Sequence, residues 1–391
     1  MGVGEGAEFR LGRGLVASLP RCGLAGFIAA AVLACGGSKE GADRIFVSQA
    51  GSSTVAVVDA SSGTVKSHIE VGMLPHEFAL SADRTTLYVA LVGSQAVAEI
   101  DTATARLRRT LLTAPVPDKR EDGSLIQAHV DQNAFSHTTC YDCHRPNGAQ
   151  PKYAGDRPFG LLLSPDGSRL FVSHLRSSTI AVLDLASGRI ERSVRLDPAG
   201  AATEPVALAR LGAEIWVALR PPQPSLLPGT LLRLDATTLE VRGNAATGSD
   251  PAALVALAER GSVLVSNFET DTVTEHDGSG RKLAHIAAPG PLGLVDLRAG
   301  RVLAIDYYAN AVSFLDLDAG TSETVALRRG DLPYANPTHG ALASDGSSVW
   351  IVASGTDGHL LQLDLASRRI VRDVPIDGLS FAVAVVPAMT R

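Results

Sequence analysis

Cysteine is scarce in this chain of 391 residues, with four in all, too few to frame a disulfide scaffold. Basic residues are not in excess either: 35 Lys and Arg stand against 41 Asp and Glu, a formal net charge of -6, so no nucleic-acid partner is indicated. Long apolar runs are missing as well. The longest, Cys22 to Ala34, has thirteen residues, short of the ~20 needed to span about 30 Å of hydrocarbon as a helix. No G-x-S-x-G elbow, P-loop or H-E-x-x-H occurs, which removes the commonest hydrolase and nucleotide-binding readings. What remains is ordinary globular composition, 45% hydrophobic and 19% charged, and neither disordered nor collagen-like.

The apolar run is preceded by Arg10, Arg13 and Arg21 and ends in Val32-Leu33-Ala34-Cys35, followed by Gly36-Gly37-Ser38. A basic region, a short apolar core and a small-residue cleavage site are the parts of a signal peptide. The segment resembles a bacterial lipoprotein signal. That resemblance implies removal of residues 1–34, lipidation of Cys35 and a tether over residues 35–43. It also implies a body in the periplasm or cell envelope, anchored to the outer membrane or to the outer face of the inner membrane. Ordinary cleaved secretion and a retained anchor are the alternatives, and all three place the body outside the cytoplasm.

From residue 44 the chain repeats itself. A strand-like core recurs as Phe46-Val47-Ser48-Gln49, Tyr88-Val89-Ala90-Leu91, Phe171-Val172-Ser173-His174, Trp216-Val217-Ala218-Leu219, Leu264-Val265-Ser266-Asn267, Leu303-Ala304-Ile305-Asp306 and Ile351-Val352-Ala353-Ser354. Each is followed by a second apolar strand closing on an aspartate: Asp59, Asp101, Asp184, Asp235, Asp277, Asp316 or Asp364. These aspartates are expected to be turn formers that accept backbone N–H bonds. A third strand follows the turn, and a fourth, often opened by proline as at Pro75, Pro158 and Pro205, returns to the next core. Four short strands per unit of about 40–50 residues predict an all-β fold, a seven-bladed β-propeller of antiparallel blades. The first repeat lacks its proline-led strand, and the extra strand Phe381 to Val386 is expected to supply it and close the ring. The repeats resemble the YVTN family of propeller repeats, with FVSQ, YVAL and FVSH in place of YVTN. The resemblance implies the fold and an extracytoplasmic location, and no reaction.

The propeller is expected over residues 44–391, interrupted once. Successive cores start 39 to 48 residues apart except for one interval of 83. The surplus, residues 113–156, carries Pro115, Pro117 and a charge run from Asp118 to Asp122, with no strand periodicity. Loops this long inside a compact domain are usually functional or disordered.

Inside that insertion lies Cys140-Tyr141-Asp142-Cys143-His144, the C-x-x-C-H pattern of c-type haem attachment. Two thiols at this spacing can each add to a vinyl group of one porphyrin while the adjacent histidine becomes the proximal iron ligand. The expected cofactor is therefore one covalent haem c, bound by Cys140, Cys143 and His144. A zinc site would need further ligands, and the other two cysteines, Cys22 and Cys35, belong to the leader. A Cys140–Cys143 disulfide or redox dithiol is the remaining reading.

Counted from the proline-led strand outward, the fourth-to-first and second-to-third connections of an up-and-down blade emerge on one side of the disc, so the insertion shares a face with several candidate sixth ligands. These are His129 and His137 within the insertion, and Met73 and His76 in the connection next to it. His339 and His174 are expected on the same face. The electron-carrier reading is favoured: a membrane-anchored cytochrome exchanging electrons with an extracytoplasmic redox protein. Against it stand a haem-dependent oxidoreductase acting on peroxide or a nitrogen oxide, with or without a metal held by His76, His174 and His339, and a partner-binding scaffold whose Cys/His motif is structural.

Overall fold

The computed structural model describes residues 42–113, 157–197 and 202–388. Seven four-stranded antiparallel sheets stand around a central axis. In blade 2 the innermost strand is Pro75–Leu80, followed outward by Thr86–Leu91, Ala96–Asp101 and Arg106–Leu112. Blades 3 to 7 repeat this order from innermost strands Pro158–Leu163, Glu204–Leu211, Pro251–Leu257, Pro291–Arg298 and Pro337–Leu342. In blades 2, 3, 5, 6 and 7 proline opens the innermost strand, in blade 4 it stands second, and in each blade the recurring core is the neighbouring strand. Proline is tolerated where it opens the strand, because no ladder donor is required there.

Blade 1 is completed from the far end of the chain. Ser380–Val386 pairs antiparallel with Arg44–Gln49, aligning Val47 with Val383, and becomes the innermost strand of a sheet whose other members are Thr54–Asp59 and Thr64–Glu70. The expected closure is therefore present. Among the described residues there is no helix long and apolar enough to cross a membrane.

Period-2 alternation sends successive core residues to opposite neighbours. Trp216 packs with Val263 and Val265 of blade 5, whereas Val217 packs with Ile180 and Val182 of blade 3. One apolar cluster fills each of the seven blade interfaces. An eighth, containing Ala50, Leu74, Phe159, Val206 and Phe381, lies toward the axis between the innermost strands.

The two faces differ in chemistry. On the face opposite the insertion, all seven strand-closing aspartates accept backbone N–H bonds, as Asp59 does from Ser62 at 2.8 Å and Asp364 from Ser367 at 2.7 Å. Arginines bridge the blades on this side. Arg44 donates to the Ala103 carbonyl, Arg109 to Leu185, Arg192 to Thr237 and Arg233 to Ser279, each on the following blade. Arg260 pairs with Asp318, and Arg368 with Glu323. At the closing interface Arg372 lies against Gly63, whose φ of +64° and missing Cβ make room for it.

Candidate functional site

The insertion leaves and re-enters on the other face. Thr113 donates its backbone N–H to Gln95 O at 3.0 Å, and Arg157 O accepts from Leu175 N at 3.0 Å. Gln95 and Leu175 belong to the second-to-third-strand loops of blades 2 and 3, so both ends of the insertion are fixed to adjacent blades. Cys140, Cys143, His144, His129 and His137 lie outside the described residues, as does Cys35.

Met73 sits in the connection before blade 2. Its N–H donates to Ser94 Oγ at 2.8 Å, next to the Gln95 that anchors the insertion, and the residue is partly exposed. His76 differs from the expected placement. It is the second residue of the innermost strand itself, 4% exposed, between Phe381 at 4.1 Å and Phe159 at 4.4 Å between ring centroids. His339 likewise lies within the innermost strand of blade 7.

These two histidines share one carboxylate. Glu77 Oε1 lies 3.1 Å from His76 Nδ1 and 3.2 Å from His339 Nε2. Burial pushes the His76 imidazole below its ordinary value and outweighs the carboxylate beside it. Burial opposes charge on His339 too, but there Glu77 prevails and the imidazole is raised. For Glu77, burial is outweighed by the His339 charge and the two histidine hydrogen bonds, which hold the carboxyl well below the usual range. The resulting arrangement is a carboxylate held in its ionised form between two imidazoles, of which His339 Nε2 is the one favoured to hold a proton.

A second buried cluster stands on the same face at blade 4. Arg220 Nε donates to Glu204 at 2.9 Å and Nη1 to Asp250 at 2.6 Å. Burial pushes Glu204 up to about 7 despite the guanidinium. The charge of Arg220 also works against protonation of His76, which puts the two clusters within electrostatic reach of each other.

His174 does not join them. It ends the second strand of blade 3, fully buried, with Nδ1 3.2 Å from Thr179 Oγ1. Gln49 and Thr54 make the same contact in blade 1 at 3.0 Å, and Asn267 and Thr272 in blade 5 at 3.2 Å. In these three blades the fourth residue of the recurring core is thus a structural tie to the next strand. Among the described residues no three His, Cys, Asp or Glu side chains converge to hold a metal ion. The metal site expected as one alternative from His76, His174 and His339 is therefore not formed.

Sequence reasoning missed Glu77, Glu204, Arg220 and Asp250. The available signal was polarity at the ends of strands that are otherwise small and apolar: Glu77 and Glu204 near the start of theirs, Arg220 at the end of its own and Asp250 just before Pro251.

No family model matches the chain, and no curated protein does. Solved structures do. Hydrazine synthase of Kuenenia stuttgartiensis aligns over 85% of this chain and 92% of its own at 15% identity, TM-score 0.59. The dihydro-heme d1 dehydrogenase NirN in complex with DHE aligns over 87% and 74% at 13% identity, TM-score 0.56. Apo AztD from Citrobacter koseri aligns over 89% and 99% at 12% identity, TM-score 0.57. At these identities the likeness is one of fold.

Proposed function

We propose that this chain is a lipid-anchored, extracytoplasmic propeller cytochrome that carries one covalent haem c and exchanges electrons with another redox protein. The observation that carries the reading is Cys140-Tyr141-Asp142-Cys143-His144 within the single insertion of a regular repeat. The donor set suits the group: two thiols for the vinyl carbons and an adjacent imidazole for the iron. When bound, the haem supplies one-electron exchange. Cys140 and Cys143 hold it, and His144 is the proximal ligand. A sixth ligand comes from His129, His137, Met73 or His76. Of the two described candidates, Met73 is partly exposed beside the anchored end of the insertion, whereas His76 is held by Glu77 between two phenylalanines. Membership of the YVTN repeat family and lipidation at Cys35 belong to the same reading. That a dihydro-heme d1 dehydrogenase shares the fold is compatible with it.

A haem-dependent oxidoreductase is the second reading, favoured by the proton-holding His76–Glu77–His339 cluster. Reduction of peroxide or a nitrogen oxide consumes protons, and this cluster stands on the insertion's face.

Expression with c-type cytochrome maturation tests the proposal. Covalent haem is expected to survive acid-acetone extraction and to stain in a denaturing gel. Cys140→Ala with Cys143→Ala removes the stain while leaving the β-sheet circular dichroism intact. Stoichiometric zinc without iron overturns it. For the anchor, the mature chain is expected to begin at Cys35 and to sediment with membranes, and Cys35→Ser to release it.

A further inference from the structure

The loops of blades 4, 5 and 6 on the face where the insertion is attached carry an apolar arc that is left exposed among the described residues. Leu226 and Leu227 are 76% and 66% exposed, and Tyr308 is 61% exposed. The arc is continuous. The Leu226 carbonyl accepts from Ser249 Oγ at 2.6 Å, and the Asp250 carbonyl from Phe268 N at 2.9 Å. Phe268 and Tyr308 pack with centroids 4.6 Å apart, and Tyr307 lies 5.5 Å from Tyr308.

Charge on the arc has one sign. Glu269 and Asp271 are exposed beside the aromatic rings, and the Tyr308 hydroxyl donates to Glu269 at 3.3 Å. Among the described loop residues 221–227, 268–271, 288–290 and 307–310 there is no Lys or Arg. The nearby Arg220 is buried and paired with Glu204 and Asp250. Exposed leucines and a tyrosine beside carboxylates that accept from Tyr308 and from the Gly290 N–H, and that form no ion pair among the described residues, are complementary to an apolar contact surface fringed by lysine or arginine.

We propose that this arc docks a protein partner whose contact patch is apolar at its centre and basic at its rim. The inference rests on the redox-partner clause of the proposed function, but the docking needs no haem in this chain. The face is the one on which Thr113 and Arg157, the described ends flanking the insertion, are fixed.

The test uses the full-length chain and two probes, a strongly basic and an acidic small soluble cytochrome c, with affinity measured by calorimetry. Binding of the basic probe is expected to weaken roughly tenfold between about 20 and 200 mM salt. Tyr308→Ser is expected to weaken it about tenfold, and Glu269→Gln with Asp271→Asn roughly three- to tenfold. Asp271 has a φ of 53°, which Asn accepts, and all three side chains are exposed, so the fold is kept. Carbodiimide coupling is expected to join probe lysines to Glu269 or Asp271. Cross-links confined to other carboxylates, equal binding of the acidic probe, no binding of the basic one, or affinities unmoved by these substitutions overturn the proposal. Repeating the titration with the Cys140→Ala, Cys143→Ala chain separates the readings: unchanged binding keeps the docking surface even where haem attachment fails.

Discussion

The imidazole of His76 lies flat against the ring of Phe381, with centroids 4.1 Å and planes 18° apart. His76 is the second residue of the innermost strand of blade 2, and Phe381 belongs to the strand that closes blade 1. The stack therefore joins ring closure to the buried histidine pair. Phe381 is 3% exposed, and Phe381→Ala is expected to cost about 3–5 kcal/mol in urea denaturation. A loss below about 1 kcal/mol would show that the closing strand is held by its backbone ladder alone.

Asp306 is fully buried, and burial pushes its carboxyl up to about 7 although Ser313 donates to it at 2.6 Å. The unfolded chain releases this proton near pH 4, whereas the folded chain keeps it to about 7. Its contribution is thus fully present below the ordinary aspartate value and lost as pH rises through the folded one. Asp306→Asn mimics the protonated form. It should match the wild type at pH 4 and exceed it by on the order of 2–4 kcal/mol at pH 8. Parallel stability–pH curves for the two proteins would refute this.

Gly63 and Gly167 both occupy left-handed turns, with φ of +64° and +68°. A methyl group at Gly167 meets open space, while one at Gly63 comes within 2.8 Å of Arg372 Nη1 and 2.9 Å of its Cδ. Both alanine variants should lose about 1 kcal/mol from the backbone. Gly63→Ala should lose roughly 0.5–1 kcal/mol more. That excess should vanish in an Arg372→Ala background, as read by a double-mutant cycle.

His174 occupies the position filled by Asn267 in blade 5 and Gln49 in blade 1. His174→Asn is expected to stay within about 1 kcal/mol of wild type, and His174→Ala to lose roughly 2–3 kcal/mol. Neither should change the visible spectrum of the haem-loaded protein. A spectral change with His174→Asn would assign that side chain to the haem.

A carrier keeps both axial positions filled, and a catalyst leaves one displaceable. The haem-loaded protein is expected to be low-spin and slow to bind carbon monoxide, with a histidine ligand ahead of Met73. Alanine at the true ligand gives a high-spin, ligand-binding haem, and alanine at the other candidates leaves the spectrum alone. Rapid carbon monoxide binding with turnover of peroxide or nitrite transfers the case to the oxidoreductase.

The architecture was legible because a blade repeats. Seven cores, seven turn aspartates and an unpaired final strand each state the same fold, and the Val47–Val383 pairing realises the closure they require. The clusters were not legible, because each joins distant residues only once. Glu77 stands among strand residues and meets His339 only through the circle of blades. Arg220 reads as the end of an ordinary strand until Glu204 and Asp250 are brought beside it. His174 misled for a different reason: a histidine near a haem motif suggests a ligand, yet its register, five residues before Thr179, already matched Gln49 and Thr54.

Synthesis proceeds in one direction, and the closing strand is the last of the blades to be made. The bond from Ala382 N to Ser48 Oγ joins residues 334 apart in sequence, so blade 1 waits for nearly the whole polypeptide before its inner edge is covered. Until then the ring has an open seam at blade 1, although each of the other blades is made of strands contiguous in sequence. Such a chain acquires the stability of its closed ring late, after the closing strand has been made.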